Sequence, residues 1–172
     1  LAVFGQGPVG LSTTQFGAAM GARVIAVETS PERRELALEK GAHAVIDPTE
    51  VDPVTAIQEL THGEGAHKVI ETAGVAKART VAVKGTGKWG SGCVVASGGQ
   101  VTLDVGTDLT FRQVTVIGHW TFSENGQADC ARFVSDRKID VDSVFTHEFK
   151  LDQAEEAYQL LDQQKTGKGV FI

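Results

Sequence analysis

The 172-residue sequence has few cysteines, few aromatic residues and no excess of positive charge. Its two cysteines, Cys93 and Cys130, are too few for a disulfide framework or a cysteine-rich zinc site, and they fit the reducing cytoplasm. The formal net charge is −6, which argues against nucleic acid or an anionic membrane as a partner because both attract positive proteins. No apolar run approaches the roughly 20 residues that cross a bilayer. We therefore expect a cytoplasmic globular protein that binds neither nucleic acid nor membrane.

Short apolar runs alternate with helical patterns along the chain, which is typical of βαβ units around a parallel sheet. The predicted strands are residues 1–4, 23–27, 44–46, 68–71, 93–96 and 113–118. Helical spacing of apolar residues separates most of them, whereas four glycines between residues 85 and 92 predict a break before the fifth strand. The pattern predicts an α/β fold, a doubly wound six-stranded parallel sheet with strand order 3-2-1-4-5-6.

The segment Gly5-Gln6-Gly7-Pro8-Val9-Gly10 matches G-x-G-x-x-G, follows a predicted strand and opens a predicted helix. Gly5 permits the tight turn, Gly7 lets a pyrophosphate approach the backbone, and Gly10 lets the helix pack close to the sheet. The free N–H groups and the helix dipole then face the anion. The competing interpretation is an ordinary strand-to-helix turn. In this context the motif predicts a dinucleotide site that includes Pro8 and Val9.

Glu28 ends the second predicted strand, 18 residues after Gly10, near the spacing of a ribose-binding acid. A carboxylate there accepts hydrogen bonds from the adenosine ribose and repels a 2′-phosphate, which favours NAD over NADP. A solvated strand end is the competing interpretation. Arg33 and Arg34 also leave an alternative open, because either could hold a 2′-phosphate or remain solvated on the helix.

The histidines and cysteines do not form a recognisable metal or catalytic motif. The sequence contains neither H-E-x-x-H nor C-x-x-C, so we expect no metal site in this chain and assign no catalytic residue. A change in composition within residues 121–126 predicts a boundary between a dinucleotide-binding domain, 1–125, and a C-terminal tail of helices and a strand, 126–172. The chain opens at Leu1 directly in strand-like residues, so we expect a piece of a longer protein or a chain whose start is not shown.

Five segments carry a resemblance to a known family, and they read LAVFGQGPVGL, VIAVETSPERRELALEKGA, VIETAG, VTVIGHWTFS and EEAYQLLDQQKTGKGVFI. Together they resemble the coenzyme-binding half of the medium-chain dehydrogenases, the zinc alcohol dehydrogenase superfamily. The resemblance implies an NAD(H)-binding domain of an enzyme that moves a hydride between nicotinamide and a small alcohol or carbonyl substrate. It places zinc only in an N-terminal GroES-like catalytic domain that these residues do not include. By this resemblance, the chain alone is expected to be inactive.

The resemblance also implies roles for residues around the adenosine. Arg33 matches a basic residue that flanks the adenosine ribose. Thr72 and Ala73 match a strand end that lies along the adenosine portion. We expect the dinucleotide itself at the switch point between strands 1 and 4.

Other residues are assigned by the same resemblance to the nicotinamide and the pyrophosphate. Val9 matches a residue that packs near the nicotinamide side of the dinucleotide. Val95 and Ile117 belong to segments that match those holding the nicotinamide carboxamide. Lys168 resembles the basic residue of the final turn that reaches the pyrophosphate.

The sixth strand, residues 114–117, is expected by resemblance at the edge of the sheet. An exposed apolar edge strand tends to pair with another chain, and in the family it pairs with its twin, so we expect a homodimer. The alternative function is a stand-alone dinucleotide-binding module, or a truncated fragment, without turnover. The sequence does not identify the substrate.

Overall fold

The computed structural model describes residues 1–165 and 167–172. Its main sheet contains β1 (Ala2–Phe4), β2 (Ile25–Val27), β3 (Ala44–Ile46), β4 (Ala66–Glu71), β5 (Thr86–Val94) and β6 (Thr115–Gly118). All neighbouring strands are parallel, and their order is β3-β2-β1-β4-β5-β6. The predicted fold class and strand order are confirmed, and the sheet has the topology of a Rossmann fold.

The helices are α1 (Pro8–Ala19), α2 (Pro31–Glu39), α3 (Pro53–Leu60), α4 (Ala76–Gly85), α5 (Glu124–Arg137) and α6 (Ala154–Asp162). Proline occupies the first turn of α1, α2 and α3, where its fixed φ suits the helix and no N–H partner is needed. Ser30 and Asp52 cap α2 and α3 by accepting backbone N–H groups three residues on. These local signals explain where α1, α2 and α3 begin in the connections that follow the strands.

The buried core lies on both faces of the main sheet. Alternate strand residues point to opposite sides, so Ile25 and Val27 belong to one cluster and Ala26 belongs to the other. Phe4 and Ile57 pack in the first cluster. The two clusters hold helices against both faces and leave the strand ends free to build a site.

The fifth strand differs from its prediction, because β5 begins at Thr86 and contains three of the four glycines that were expected to precede it, while Gly85 ends α4. The reason is close backbone packing. A Cβ at Gly87 would lie 2.6 Å from the Glu64 carbonyl oxygen, and one at Gly90 would lie 2.7 Å from the Thr86 methyl carbon. Glycine is thus required within the strand, where such an approach leaves no room for a side chain.

A second, two-stranded parallel sheet lies in the C-terminal part, formed by β7 (Phe145–Phe149) and β8 (Lys168–Phe171). The segment before it packs against α1, since the Gln15 amide donates to the Asp140 carbonyl at 2.7 Å and Val144 joins the cluster around Leu11. Within residues 1–165 and 167–172, no helix is long and apolar enough to span a membrane. The boundary at 125/126 stays a prediction.

Candidate cofactor-binding site

A cleft of about 670 Å³ opens at the carboxyl ends of β1, β2 and β4. The glycine turn after β1, the end of β2, residues 48–53 after β3, and the segment from Thr72 into α4 line it. In open α/β sheets, ligands bind in the crevice outside the carboxyl ends of the strands, where the strand order reverses. The glycine turn after β1 therefore lies at the edge of the sheet where a ligand is expected.

The three glycines of the turn have different surroundings. Gly5 has φ +86°, and a Cβ there would lie 2.9 Å from the backbone of Ala73. A Cβ at Gly10 would overlap the carbonyl oxygen of Gly5. Gly7, which precedes α1 with φ −67°, would place a Cβ in open space. The fold thus requires glycine at residues 5 and 10, whereas Gly7 leaves room over the start of α1 for a ligand.

Glu28 is only 7% exposed at the end of β2 and lines the cleft. Its Oε2 accepts the Gln6 N–H at 2.6 Å, and its Oε1 accepts the N–H groups of Thr29 at 2.7 Å and Ser30 at 3.0 Å. The carboxylate thereby ties the glycine turn to the start of α2, a second role that the sequence does not reveal. A carboxylate has about four acceptor sites, so Oε2 keeps room for one further donor such as a ribose hydroxyl.

The two arginines that the sequence left open are placed differently. Arg33 is 8% exposed and lines the cleft. Arg34 donates through Nη1 to the carbonyls of Glu28 at 2.9 Å and Thr29 at 2.7 Å, and it lies 2.8 Å from Asp47 Oδ2. Hydrogen bonds from Thr49, supported by the charge of Arg34, hold the pKa of Asp47 below its usual value. The side chain of Arg34 therefore fixes the end of β2 by binding the backbone carbonyls there.

Two apolar walls complete the cleft lining beyond Glu28. Pro48, Val51 and Pro53, from the loop after β3 and the start of α3, form one wall. Val75, the N-cap of α4, and Val81 within α4 form the other. Their side chains are apolar, which suits the faces of a flat ring. The sequence missed these residues, although a loop that follows β3 in a doubly wound sheet opens at this same edge.

Six predicted residues line the cleft: Gly5, Gly7, Glu28, Arg33, Thr72 and Ala73. The Thr72 hydroxyl donates to the carbonyl of Phe4 at 3.0 Å or to that of Gly5 at 3.1 Å, so its side chain also supports the glycine turn. Gln164 reaches the same cleft from the C-terminal part, and its carbonyl accepts the Ser30 hydroxyl at 3.2 Å. No local signal in the sequence indicates this long-range contact.

The other predicted residues lie outside the cleft lining. Pro8, Val9 and Gly10 begin α1. Val95 follows β5 and donates its N–H to the Glu71 carbonyl at 3.0 Å. Ile117 lies in the edge strand β6, and Lys168 begins β8 opposite Phe145. Their roles toward a cofactor stay predictions.

A zinc ion does not fit the described part of the chain. Within residues 1–165 and 167–172, no group of three or more His, Cys, Asp or Glu side chains is arranged to hold a metal ion. Burial raises the pKa of the Cys93 thiol, which disfavours the thiolate that binds metals. We derive no chemical step through zinc from these residues.

Comparison with known proteins agrees with this geometry. The family model described as zinc-binding dehydrogenase matches residues 8–136. A zinc-type alcohol dehydrogenase-like protein of Escherichia coli is 36% identical, and the match covers 98% of this chain and 48% of the relative. L-threonine 3-dehydrogenase of Pyrococcus horikoshii is 33% identical, and that match covers 99% of this chain and 50% of the relative. Benzyl alcohol dehydrogenase of Acinetobacter calcoaceticus has a TM-score of 0.89 at 27% identity, and 2R,3R-butanediol dehydrogenase of Bacillus subtilis has 0.82 at 30%. Each structural match covers 99% of this chain and 48% or 49% of the other, so the chain spans about half the length of these relatives. The chain belongs to the zinc-binding dehydrogenase family.

Proposed function

We propose that this chain is the NAD(H)-binding part of an alcohol or polyol dehydrogenase. The observation that carries the proposal is the open face of Gly7 beside the buried carboxylate of Glu28, in one cleft of a chain that belongs to a dehydrogenase family. The names of the relatives support an alcohol as the substrate class, because they include benzyl alcohol, butanediol and threonine dehydrogenases.

The proposed binding mode follows the cleft from one end to the other. The pyrophosphate lies over Gly7, where the first N–H groups of α1 have no side-chain cap and the helix dipole attracts an anion. The adenosine ribose donates to Glu28, and the adenine lies between the apolar walls at Val51 and Val81. The nicotinamide extends toward Val95, where the strand ends of β4 and β5 meet.

The chain's own contribution is to bind and orient the cofactor. When NAD is bound, its nicotinamide ring supplies the carbon that accepts or gives the hydride. Val9, Ile117 and Lys168 keep the roles that the resemblance assigns, toward the nicotinamide and the pyrophosphate. The substrate pocket and the catalytic zinc belong to a further domain, since the relatives are about twice as long as this chain.

Glu28 is the proposed selector of NAD over NADP. The 2′-phosphate of NADP would place a negative group next to the buried, negatively charged carboxylate of Glu28. Backbone N–H groups of Gln6, Thr29 and Ser30 already use the other acceptor sites of that carboxylate. Arg33 lines the same cleft and carries a positive charge. It is therefore the residue that would bind the 2′-phosphate if the chain preferred NADP. The preference is therefore the first quantity to measure.

Calorimetric titration of this chain with NADH and then NADPH tests the proposal. We expect saturable NADH binding that is about tenfold tighter than NADPH binding, equivalent to about 1.4 kcal/mol. No saturable binding of either dinucleotide would overturn the cofactor site. Equal binding of both would keep the site and remove Glu28 as the selector.

A cytoplasmic homodimer is the remaining part of the proposal. β6 is an outer strand of the described sheet, and its Val116 and Ile117 side chains are 43% and 46% exposed. An exposed apolar edge offers unpaired backbone groups to a second copy. Light scattering should give the mass of a dimer, and Ile117→Lys should shift it toward the monomer. A monomeric native chain would contradict this part alone.

A further inference from the structure

A buried ion pair joins β4 to α4 beside the proposed nicotinamide end. Glu71, the last residue of β4, is 1% exposed, and Arg79 in α4 is 4% exposed. Arg79 Nε lies 3.3 Å from Glu71 Oε2, and Glu71 Oε1 accepts the Gly74 N–H at 2.6 Å. Both oxygens of the carboxylate are thus used inside the protein, and neither residue lines the cleft.

The other end of Arg79 holds the loop that follows β5, residues 95–99. Its Nη2 donates to the carbonyls of Ala96 and Ser97, both at 3.1 Å. Gly98 and Gly99 have φ of +76° and +75°, and a Cβ at Gly99 would overlap Nη1 of Arg79. The loop therefore turns around the guanidinium through two left-handed glycines.

The backbone of Glu71 binds the same loop. Its carbonyl accepts the Val95 N–H at 3.0 Å and lies 3.4 Å from the Ala96 nitrogen. A Cβ at Gly74 would contact the Ala96 methyl group at 3.4 Å, so the loops after β4 and β5 are packed together. The side-chain hydrogen bonds described for the pair therefore run between its two members, to the turn at Gly74, or to the loop 95–99.

Stability alone is a poor reason for such a pair. Burying two charges costs desolvation free energy for each ion, and apolar replacements of buried pairs are often as stable. Arginine differs from lysine because its planar fork can reach a carboxylate and two carbonyls at once. The geometry suits a residue that fixes the loop's shape.

We propose that Arg79 is a positioning residue that fixes the loop 95–99 as the surface against which the nicotinamide packs. The inference rests on the proposed function, which extends the nicotinamide to Val95. Arg79 acts through the loop and touches no part of the cofactor. Its loss should therefore weaken the contribution of the nicotinamide and spare that of the adenosine half.

The test compares NADH with ADP-ribose, which lacks the nicotinamide, by calorimetry on the native chain and on Arg79→Lys. Lysine keeps the charge opposite Glu71 but cannot reach both loop carbonyls. We expect native NADH to bind roughly tenfold tighter than ADP-ribose, and Arg79→Lys to erase that preference while ADP-ribose binding stays within about twofold. The inference would be overturned if Arg79→Lys still bound NADH more tightly than ADP-ribose. It would also be overturned if the native chain bound the two ligands equally.

Arg34→Lys is the matched control, because Arg34 also bridges a carboxylate and two backbone carbonyls, at the end of β2. It should weaken NADH and ADP-ribose equally. An equal loss in Arg79→Lys would show a merely structural role. If Arg79→Lys fails to fold, the double variant Glu71→Gln/Arg79→Met removes both buried charges and must show the same selective loss of NADH binding. Native chain that binds neither ligand would overturn the proposed function itself.

Discussion

The carboxyl edge of the sheet contains two regions that differ in how fully they enclose the cleft. The ends of β1, β2 and β4 line it with the glycine turn, Glu28 and Thr72, and residues 48–53 also line it. The ends of β5 and β6 carry Val95 and Ile117 outside the lining. The first region is built by contacts within this chain, which predicts that the adenosine half of the cofactor supplies most of the affinity here.

Gly7→Val is the substitution in the enclosed region for which we expect the largest effect. The change should lower NADH affinity by about 100-fold or more, equivalent to about 2.7 kcal/mol, because the new side chain occupies the space proposed for the pyrophosphate. The φ of −67° is ordinary, and apart from Gly7 and its chain neighbours no atom of residues 1–165 and 167–172 lies within 4 Å of the added Cβ, so the fold itself should tolerate the change. Calorimetry measures the binding and a thermal melt checks the fold.

A graded variant controls this substitution. Gly7→Ala adds one methyl group to the same space and should give an intermediate loss, with an unchanged melting temperature. If Gly7→Val binds NADH as tightly as the native chain, the pyrophosphate does not lie over α1. The difference between the two regions would then lose its main support.

Glu28→Ser tests specificity in the enclosed region, with a smaller expected effect. The NADH preference over NADPH should fall by about tenfold, because removing the carboxylate removes both a ribose acceptor and the repulsion of a 2′-phosphate. The ratio is the quantity to measure, since Glu28 also binds Gln6 and its loss should weaken both dinucleotides. Glu50→Ser removes an exposed carboxylate that lines the same cleft and should leave the ratio unchanged.

The structural requirements of the enclosed region are local, so the sequence shows them directly. The glycine turn needs a positive φ at Gly5 and close helix packing at Gly10, and both needs are expressed by residue type within six positions. Glu28 follows its strand directly, so its place at the sheet edge comes from topology. The roles of the individual residues toward a cofactor stay predictions.

Long-range contacts explain what the sequence could not show. Arg79 reads as one more polar helix residue, yet it is buried and binds loop carbonyls 17 and 18 residues later. Gln164 reaches the cleft where the C-terminal part contacts Ser30, the N-cap of α2. The glycines of β5 suggested a broken element, whereas close backbone packing against Glu64 and Thr86 places them within a strand. Residue type alone does not encode these partners.

Lys168→Met tests a residue from outside the cleft lining. Lys168 begins β8 opposite Phe145 and lies outside the cleft lining, so we expect solvent to screen its charge from the proposed pyrophosphate. NADH affinity should fall by no more than about threefold by calorimetry. Lys77→Met, on a residue that lines the cleft, is the comparison variant. A loss at Lys168 as large as that at Gly7 would show that the enclosed region does not act alone.

The smallest expected effect concerns acid sensitivity on the enclosed side, where Asp52 caps α3. Hydrogen bonds from the Thr55 hydroxyl and N–H hold the pKa of Asp52 below its usual 3.8. A carboxyl whose pKa is lowered by folding stabilises the protein fully above the unfolded pKa, and that contribution is lost as pH falls through the folded pKa. Asp52→Asn keeps a good capping side chain but cannot titrate. Its melting temperature should therefore fall less than that of the native chain between about pH 5 and about pH 3.

Asp104→Asn provides the matched variant outside the cleft, since Thr107 lowers the pKa of Asp104 in the same way. Both variants should flatten the pH dependence of the melt, but only Asp52→Asn should also flatten that of NADH binding, because only Asp52 lines the cleft. An equal effect of the two variants on binding would mean that acid acts on the whole fold and not on the enclosed region.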